Sequence, residues 1–98
     1  MDRKPNALRI NEADNVAVAL SDIAAGAGVA LAGGDGPVAR DAIPFAHKVA
    51  LEPIARGAAI RKYGVEIAFA TVDVAAGDWV HQQNAKSYFM ARREAREQ

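Results

Sequence analysis

The 98-residue sequence contains no cysteine. This excludes disulfide bonds, thiolate zinc sites and a cysteine nucleophile, and it is compatible with a reducing compartment. The sequence also has no excess of either charge. Twelve Lys plus Arg face twelve Asp plus Glu, for a formal net charge of zero, so no global field draws the chain to nucleic acid or to an anionic membrane. No apolar run approaches the roughly 18 residues of a membrane span, and the polar opening Met1-Asp2-Arg3-Lys4-Pro5-Asn6 leads into no apolar core of signal-peptide length. The expectation is a soluble, cytoplasmic protein with neither nucleic-acid nor membrane partners. Catalytic signatures are missing as well. No serine sits in a nucleophile elbow, no paired histidine motif lies on a helix, and Glu12, Asp14, Glu52 and Glu66 are scattered as on a solvated surface.

Ninety-eight residues allow one buried core of useful size but not two independent ones. Alanine is abundant, 23 residues in all, and by propensity alone would argue for helices. Its arrangement argues for strands, because the Ala-rich stretches are cut by Gly every few residues and flanked by Val and Ile. Three segments look alike: Ile23-Ala24-Ala25-Gly26-Ala27-Gly28-Val29, Ile54-Ala55-Arg56-Gly57-Ala58-Ala59-Ile60 and Val74-Ala75-Ala76-Gly77-Asp78-Trp79-Val80. Each reads as a strand ending near Asp22, Pro53 or Asp73, a corner in which Gly26, Gly57 or Gly77 takes φ > 0, and a new strand. Their spacings of 31 and 20 residues are too irregular for a solenoid. They predict a folded-over β domain with long-range strand pairing.

Around these repeats, residues 1–12 are expected to form a polar N-terminal arm, with the chain loosely held until the first strand at Val16-Ala17-Val18-Ala19-Leu20. Residues 13–84 form the β domain. Ala32-Gly33-Gly34-Asp35-Gly36-Pro37 reads as a plain flexible loop, since its glycines match no phosphate-loop spacing. Residues 85–98 are good helix formers, with Ala85, Tyr88, Phe89 and Ala95 on one side, and predict a short terminal helix.

Histidine is the usual proton carrier near neutral pH, and the chain has only His47 and His81, each beside a repeat. Neighbouring residues of a strand point to opposite faces, so His47 and Lys48 do not form a direct pair. His81 and Asn84, three apart, converge if the chain turns there. A structural role for either histidine is the plain alternative.

These segments together resemble the SAF domain of the altronate and galactarate dehydratases and of sulfolactate sulfo-lyase. The resemblance runs through Asn15-Val16-Ala17-Val18-Ala19-Leu20, Ile43-Pro44-Phe45-Ala46-His47-Lys48-Val49-Ala50-Leu51, Arg61-Lys62-Tyr63-Gly64-Val65-Glu66-Ile67 and Ala70 to His81 with Asn84. It departs at two places. Ala46 stands where the family commonly has Gly before the His-Lys pair, and His81-Gln82-Gln83-Asn84 stands for His-x-His-Asn.

The resemblance implies an all-β, β-clip fold of bent hairpins, and the small subunit of a two-chain lyase acting on a sugar acid or on sulfolactate. It further implies His47 and His81 as catalytic groups and Lys48 and Asn84 as substrate-binding groups. The partner would be a large catalytic subunit holding a divalent metal, iron or manganese, with no cofactor bound by this chain alone. The other functions it leaves open are a non-catalytic binding module and a domain that mediates homo-oligomerisation.

Overall fold

Glycine at positive φ explains three of the four corners on which the chain turns. In the computed structural model, which describes residues 4–96, Gly26, Gly57 and Gly77 have φ of 88°, 86° and 91°, a left-handed conformation that lacks a steric penalty only in glycine. Their N–H groups donate to Ala39 O, Ala70 O and Ala50 O at 2.7, 2.7 and 2.8 Å. The fourth corner is Ala46, at φ 70°, whose N–H donates to Ala19 O at 2.8 Å. Three positions before each corner stands Ile23, Ile43, Ile54 or Val74, and three positions after it Val29, Val49, Ile60 or Val80; all eight side chains are buried. The preceding residues also bridge in pairs, Ile23 with Ile43 and Ile54 with Val74.

With Ala46 counted, the irregular spacing resolves into a duplication. The first and third corners are 31 residues apart, and so are the second and fourth. One copy contributes β2 (Val16–Ala19), β3 (Gly28–Leu31) and β4 (Gly34–Val38); the other contributes β5 (Lys48–Ala50), β6 (Ala59–Lys62) and β7 (Val65–Ala70), followed by β8 (Trp79–Val80). With β1 (Ala7–Leu8) and β9 (Ala85–Ser87), the strands form an antiparallel sheet β1-β2-β5-β8, a hairpin β3-β4 and a sheet β6-β7-β9. Both hairpins shift register, between Gly28 and Ala30 and between Ile60 and Arg61. Such bulges bend a ribbon, and the all-β reading with bent hairpins holds. One apolar cluster gathers Ile23, Ile43 and Val49, a second Ile54, Ile60 and Val80, along a body of 55 × 24 × 21 Å.

Four local expectations need correction. The N-terminal stretch is tied down: Ala7 is buried and pairs with Ala19, Leu8 pairs with Val18, and the Asn6 amide donates to Gly28 O and accepts from Ala30 N. Residues 1–3 of that arm lie outside the described residues. In the glycine-rich segment only Ala32 and Gly33 form the turn, and Gly34 onward is strand β4.

The terminal helix starts later than its composition suggests. Ala85–Ser87 pair with β7 as β9, and α1 runs from Tyr88–Arg96, capped by the Ser87 hydroxyl accepting from Met90 N at 3.0 Å. Tyr88 meets Phe69 with ring centroids 5.6 Å apart, whereas Phe89 is exposed. Residues 97–98 lie outside the described residues.

Asp14, expected on the surface, is only 1% exposed and accepts from Asn11 N, Tyr63 N and Gly64 N at 3.0, 3.0 and 2.7 Å. It thereby fixes the tip of the β6–β7 hairpin to the start of β2. Asp14→Ala would leave three amides without their acceptor. A destabilisation of about 2–3 kcal/mol and a fall in melting temperature of roughly 10 °C or more are expected in a thermal melt. A shift of under a few degrees would show that water replaces the carboxylate.

Candidate functional site

The pairing of β5 with β8 builds the site. Lys48 lies opposite Val80 and Val49 opposite Trp79, so the antiparallel register carries His47, one residue before β5, across to His81, one residue after β8. Their ring centroids are 5.0 Å apart. Trp79 and His81 are two positions apart and share a face of the strand; their rings stack with centroids 5.1 Å apart and planes within 6°. The Trp79 indole N–H donates to His47 Nδ1 at 3.2 Å. An indole nitrogen only donates, so His47 Nδ1 accepts and the neutral ring carries its proton on Nε2. His81 has no side-chain hydrogen bond of this kind among the described residues.

The turn after β8 is rigid because Asn84 braces it. The Asn84 carboxamide oxygen accepts from His81 N at 3.0 Å, its Nδ2 donates to Trp79 O at 2.9 Å, and the side chain is buried. Both ends of that amide are engaged by backbone, so the group expected to reach substrate holds the His81 loop in place. Gln83, standing where the family commonly has a second histidine, also donates to Trp79 O, at 3.0 Å. On the incoming side Trp79 N donates to Asp41 Oδ2 at 3.1 Å.

Lys48 leaves β5 on the other side from His47 and lines an open groove of about 740 Å³ with His81, Thr71, Lys86 and Ser87 over an apolar base that includes Ile60. Burial lowers the Lys48 pKa from its ordinary value, and the nearby Lys62 cation lowers it further. Lys86, by contrast, is paired with Glu94 of α1. Among the described residues no three His, Asp or Glu side chains gather into a metal-binding group. This set does not fit a divalent metal by itself.

Of the four residues singled out in the sequence, His47 and His81 thus meet, Lys48 shares a groove with His81 from the other side of β5, and Asn84 braces the His81 loop. Trp79, which holds both imidazoles, is not among those four. Its signal was the alternation Trp79-Val80-His81, which places two rings on one strand face and a buried Val80 on the other.

The sequence profile described as the altronate/galactarate dehydratase SAF domain matches residues 5–88. The chain belongs to this family. All four singled-out residues and Trp79 fall inside the matched span, whereas most of α1 lies beyond it. Over 80 residues, 82% of the chain, this SAF domain is 41% identical to altronate dehydratase of Escherichia coli (strain K12) and 36% identical to altronate dehydratase of Bacillus subtilis (strain 168). The match spans only 16% of the length of each relative. An association of such SAF domains with sugar-acid dehydratases follows from these matches. No helix among the described residues is long and apolar enough to cross a membrane.

Proposed function

We propose that this SAF domain is the small subunit of a two-chain, cytoplasmic lyase that dehydrates a sugar acid of the altronate or galactarate type, or removes sulfite from sulfolactate. A large subunit supplies the remaining chemistry and holds a divalent metal, iron or manganese. The observation that supports this reading best is the meeting of His47 and His81 across β5 and β8, beside a groove lined by a partly buried amine. Dehydration removes a proton α to the carboxylate and expels the β-hydroxyl as water, so it needs a base and a proton donor. His81, whose ring nitrogens make no hydrogen bond among the described residues, is suited to accept the proton. His47, with its proton on Nε2, is suited to hold the departing hydroxyl by a hydrogen bond, while the imidazolium formed at His81 returns its proton to that oxygen as it leaves as water. Lys48 offers a cation to the substrate carboxylate, and Asn84 serves this site by fixing His81.

The test is reconstitution. The purified chain, with or without iron or manganese, is expected to turn over none of altronate, galactarate or sulfolactate, and to be required by a large subunit for full turnover. Turnover by the chain alone, or a large subunit indifferent to it, would sink the proposal. The second outcome would favour a non-catalytic binding or oligomerisation module, for which the exposed Phe45 and Phe89 are available contacts.

Lys48 gives a further expected result with opposite signs in two assays. Because folding lowers its pKa, the unfolded chain binds the proton more readily, so the charged amine costs stability at neutral pH. That cost fades as pH rises through the folded value toward the ordinary lysine value. Lys48→Met should therefore raise the melting temperature at pH 7, with the advantage shrinking in alkaline buffer. In the reconstituted enzyme it should raise KM by about tenfold or more through the lost charge-assisted contact. An unchanged KM would remove Lys48 from the substrate site.

A further inference from the structure

Three corners of the duplicated fold use glycine, and the one that carries a histidine does not. We infer that Ala46 is a positioning residue: its side chain, held in the left-handed conformation, stiffens the corner from which His47 reaches Trp79 and His81. This inference rests on the reading of His47 as a site residue.

The duplication supplies the comparison. Gly26, Gly57 and Gly77 occupy the equivalent positions at φ 88°, 86° and 91°, and Ala46 sits at φ 70°. At Gly26 and Gly57 an added methyl group would meet no atom within 4 Å, so in those two corners the left-handed backbone itself is what favours glycine. Ala46 adopts the same conformation, is exposed, and its methyl group adds nothing to the buried core. What it changes is freedom. Glycine explores both signs of φ, whereas alanine forced into the left-handed well by its neighbours has a narrow range.

Those neighbours are fixed by backbone hydrogen bonds: Ala46 N donates to Ala19 O at 2.8 Å, His47 N to Pro44 O at 3.0 Å, and Ala19 N to His47 O at 2.8 Å. Asp22 Oδ1 accepts from Phe45 N at 2.8 Å, pinning the other side. The residues that follow Gly26 and Gly57 are Ala27 and Ala58, which carry no polar side chain, whereas Gly77, which leads to Asp78 and Trp79, is held to glycine by the backbone of Val38, 2.1 Å from where a methyl group would sit. Strain of this kind, kept where a functional side chain departs, is how folds hold active groups in place.

The single tryptophan makes the idea measurable without any partner, because its indole N–H is the donor to His47 Nδ1. In the full 98-residue chain, Ala46→Gly is expected to raise the melting temperature by about 3–6 °C, as relief of a left-handed alanine does in a domain of this size. The same variant should speed hydrogen exchange of the indole N–H several-fold, since the His47 acceptor becomes looser. Ala46→Asn, a residue that tolerates the left-handed region, should keep the slow indole exchange. Gly57→Ala is the matching control: it should lower the melting temperature by a few degrees and leave indole exchange unchanged.

A melting temperature that falls in Ala46→Gly, or indole exchange equal to that of the parent chain, would overturn the inference. Indole exchange that responds as expected in a chain no large subunit requires would leave the positioning role standing and overturn only the dehydratase reading.

Discussion

His47→Ala and His81→Ala should each leave the chain folded and lower turnover of the reconstituted dehydratase by roughly 10²- to 10⁴-fold, the range for loss of acid–base help. The two should differ in their side effects. His47→Ala removes the acceptor of the Trp79 indole, so it should also cost about 1 kcal/mol of stability and shift the tryptophan emission. His81→Ala removes only a stacked ring and should melt nearer to the parent chain. The tautomer sharpens the comparison further. His47→Gln can keep an acceptor for the indole while losing the imidazole Nε2–H donor, and should restore the melting temperature without restoring turnover. Full specific activity in both alanine variants, accompanied only by lower melting temperatures, would end the catalytic reading and leave the histidines as structural groups.

Gly77→Ala should be the most damaging single substitution to the fold itself. A methyl group there would sit 2.1 Å from Val38 O, with Arg40 N at 3.3 Å. These are backbone atoms that cannot swing aside, and Arg40 N already donates to Gly77 O at 2.8 Å. The residue also has φ 91°, so steric overlap adds to the left-handed penalty. A loss of about 4 kcal/mol or more is expected, enough to unfold a small domain of ordinary stability. Gly57→Ala, with the same φ and open space around it, should cost only about 1 kcal/mol. Thermal melts of the two variants side by side separate crowding from conformation. If they melt together, the close approach of Gly77 to Val38 does not constrain the fold. Because Trp79 lies two residues beyond Gly77, a milder relaxation at this corner should also appear as a disturbed indole signal.

The sequence made the glycine corners legible because glycine at positive φ, with β-branched residues three positions to either side, leaves a mark in the chain. It hid the corner at Ala46, since nothing about an alanine announces a left-handed backbone, and with that corner went the duplication. The strand at Ala85–Ser87 was hidden for a different reason: pairing with β7 overrides the helix propensity of Ala and Lys. β1 is only two residues long, and Asp14 looks like any surface carboxylate until the Tyr63-Gly64 turn folds onto it. At the site, the two histidines and Lys48 were visible as residue types. The indole that joins the imidazoles and the engagement of Asn84 by backbone depend on the β5–β8 register and on a turn, neither of which can be read from spacing alone.

The interlocking of the two copies has a consequence for how the molecule comes into being. Sheet β1-β2-β5-β8 takes its middle strands from different copies, and the Asn15 side chain at the head of the first copy donates to Ala59 O and accepts from Arg61 N in the second, 44 and 46 residues on. Each copy closes only its own hairpin from local contacts, β3-β4 or β6-β7, so the four-stranded sheet of a nascent chain emerging from the ribosome stays unfinished until Trp79 and Val80 have been made. Contacts this distant along the chain are slow to form. Of this sheet β8 is the last strand to be made, and it carries the chain to His81, so a product terminated before Trp79 lacks both that strand and the geometry of the site, and synthesis presents the two imidazoles together only once β8 is in place.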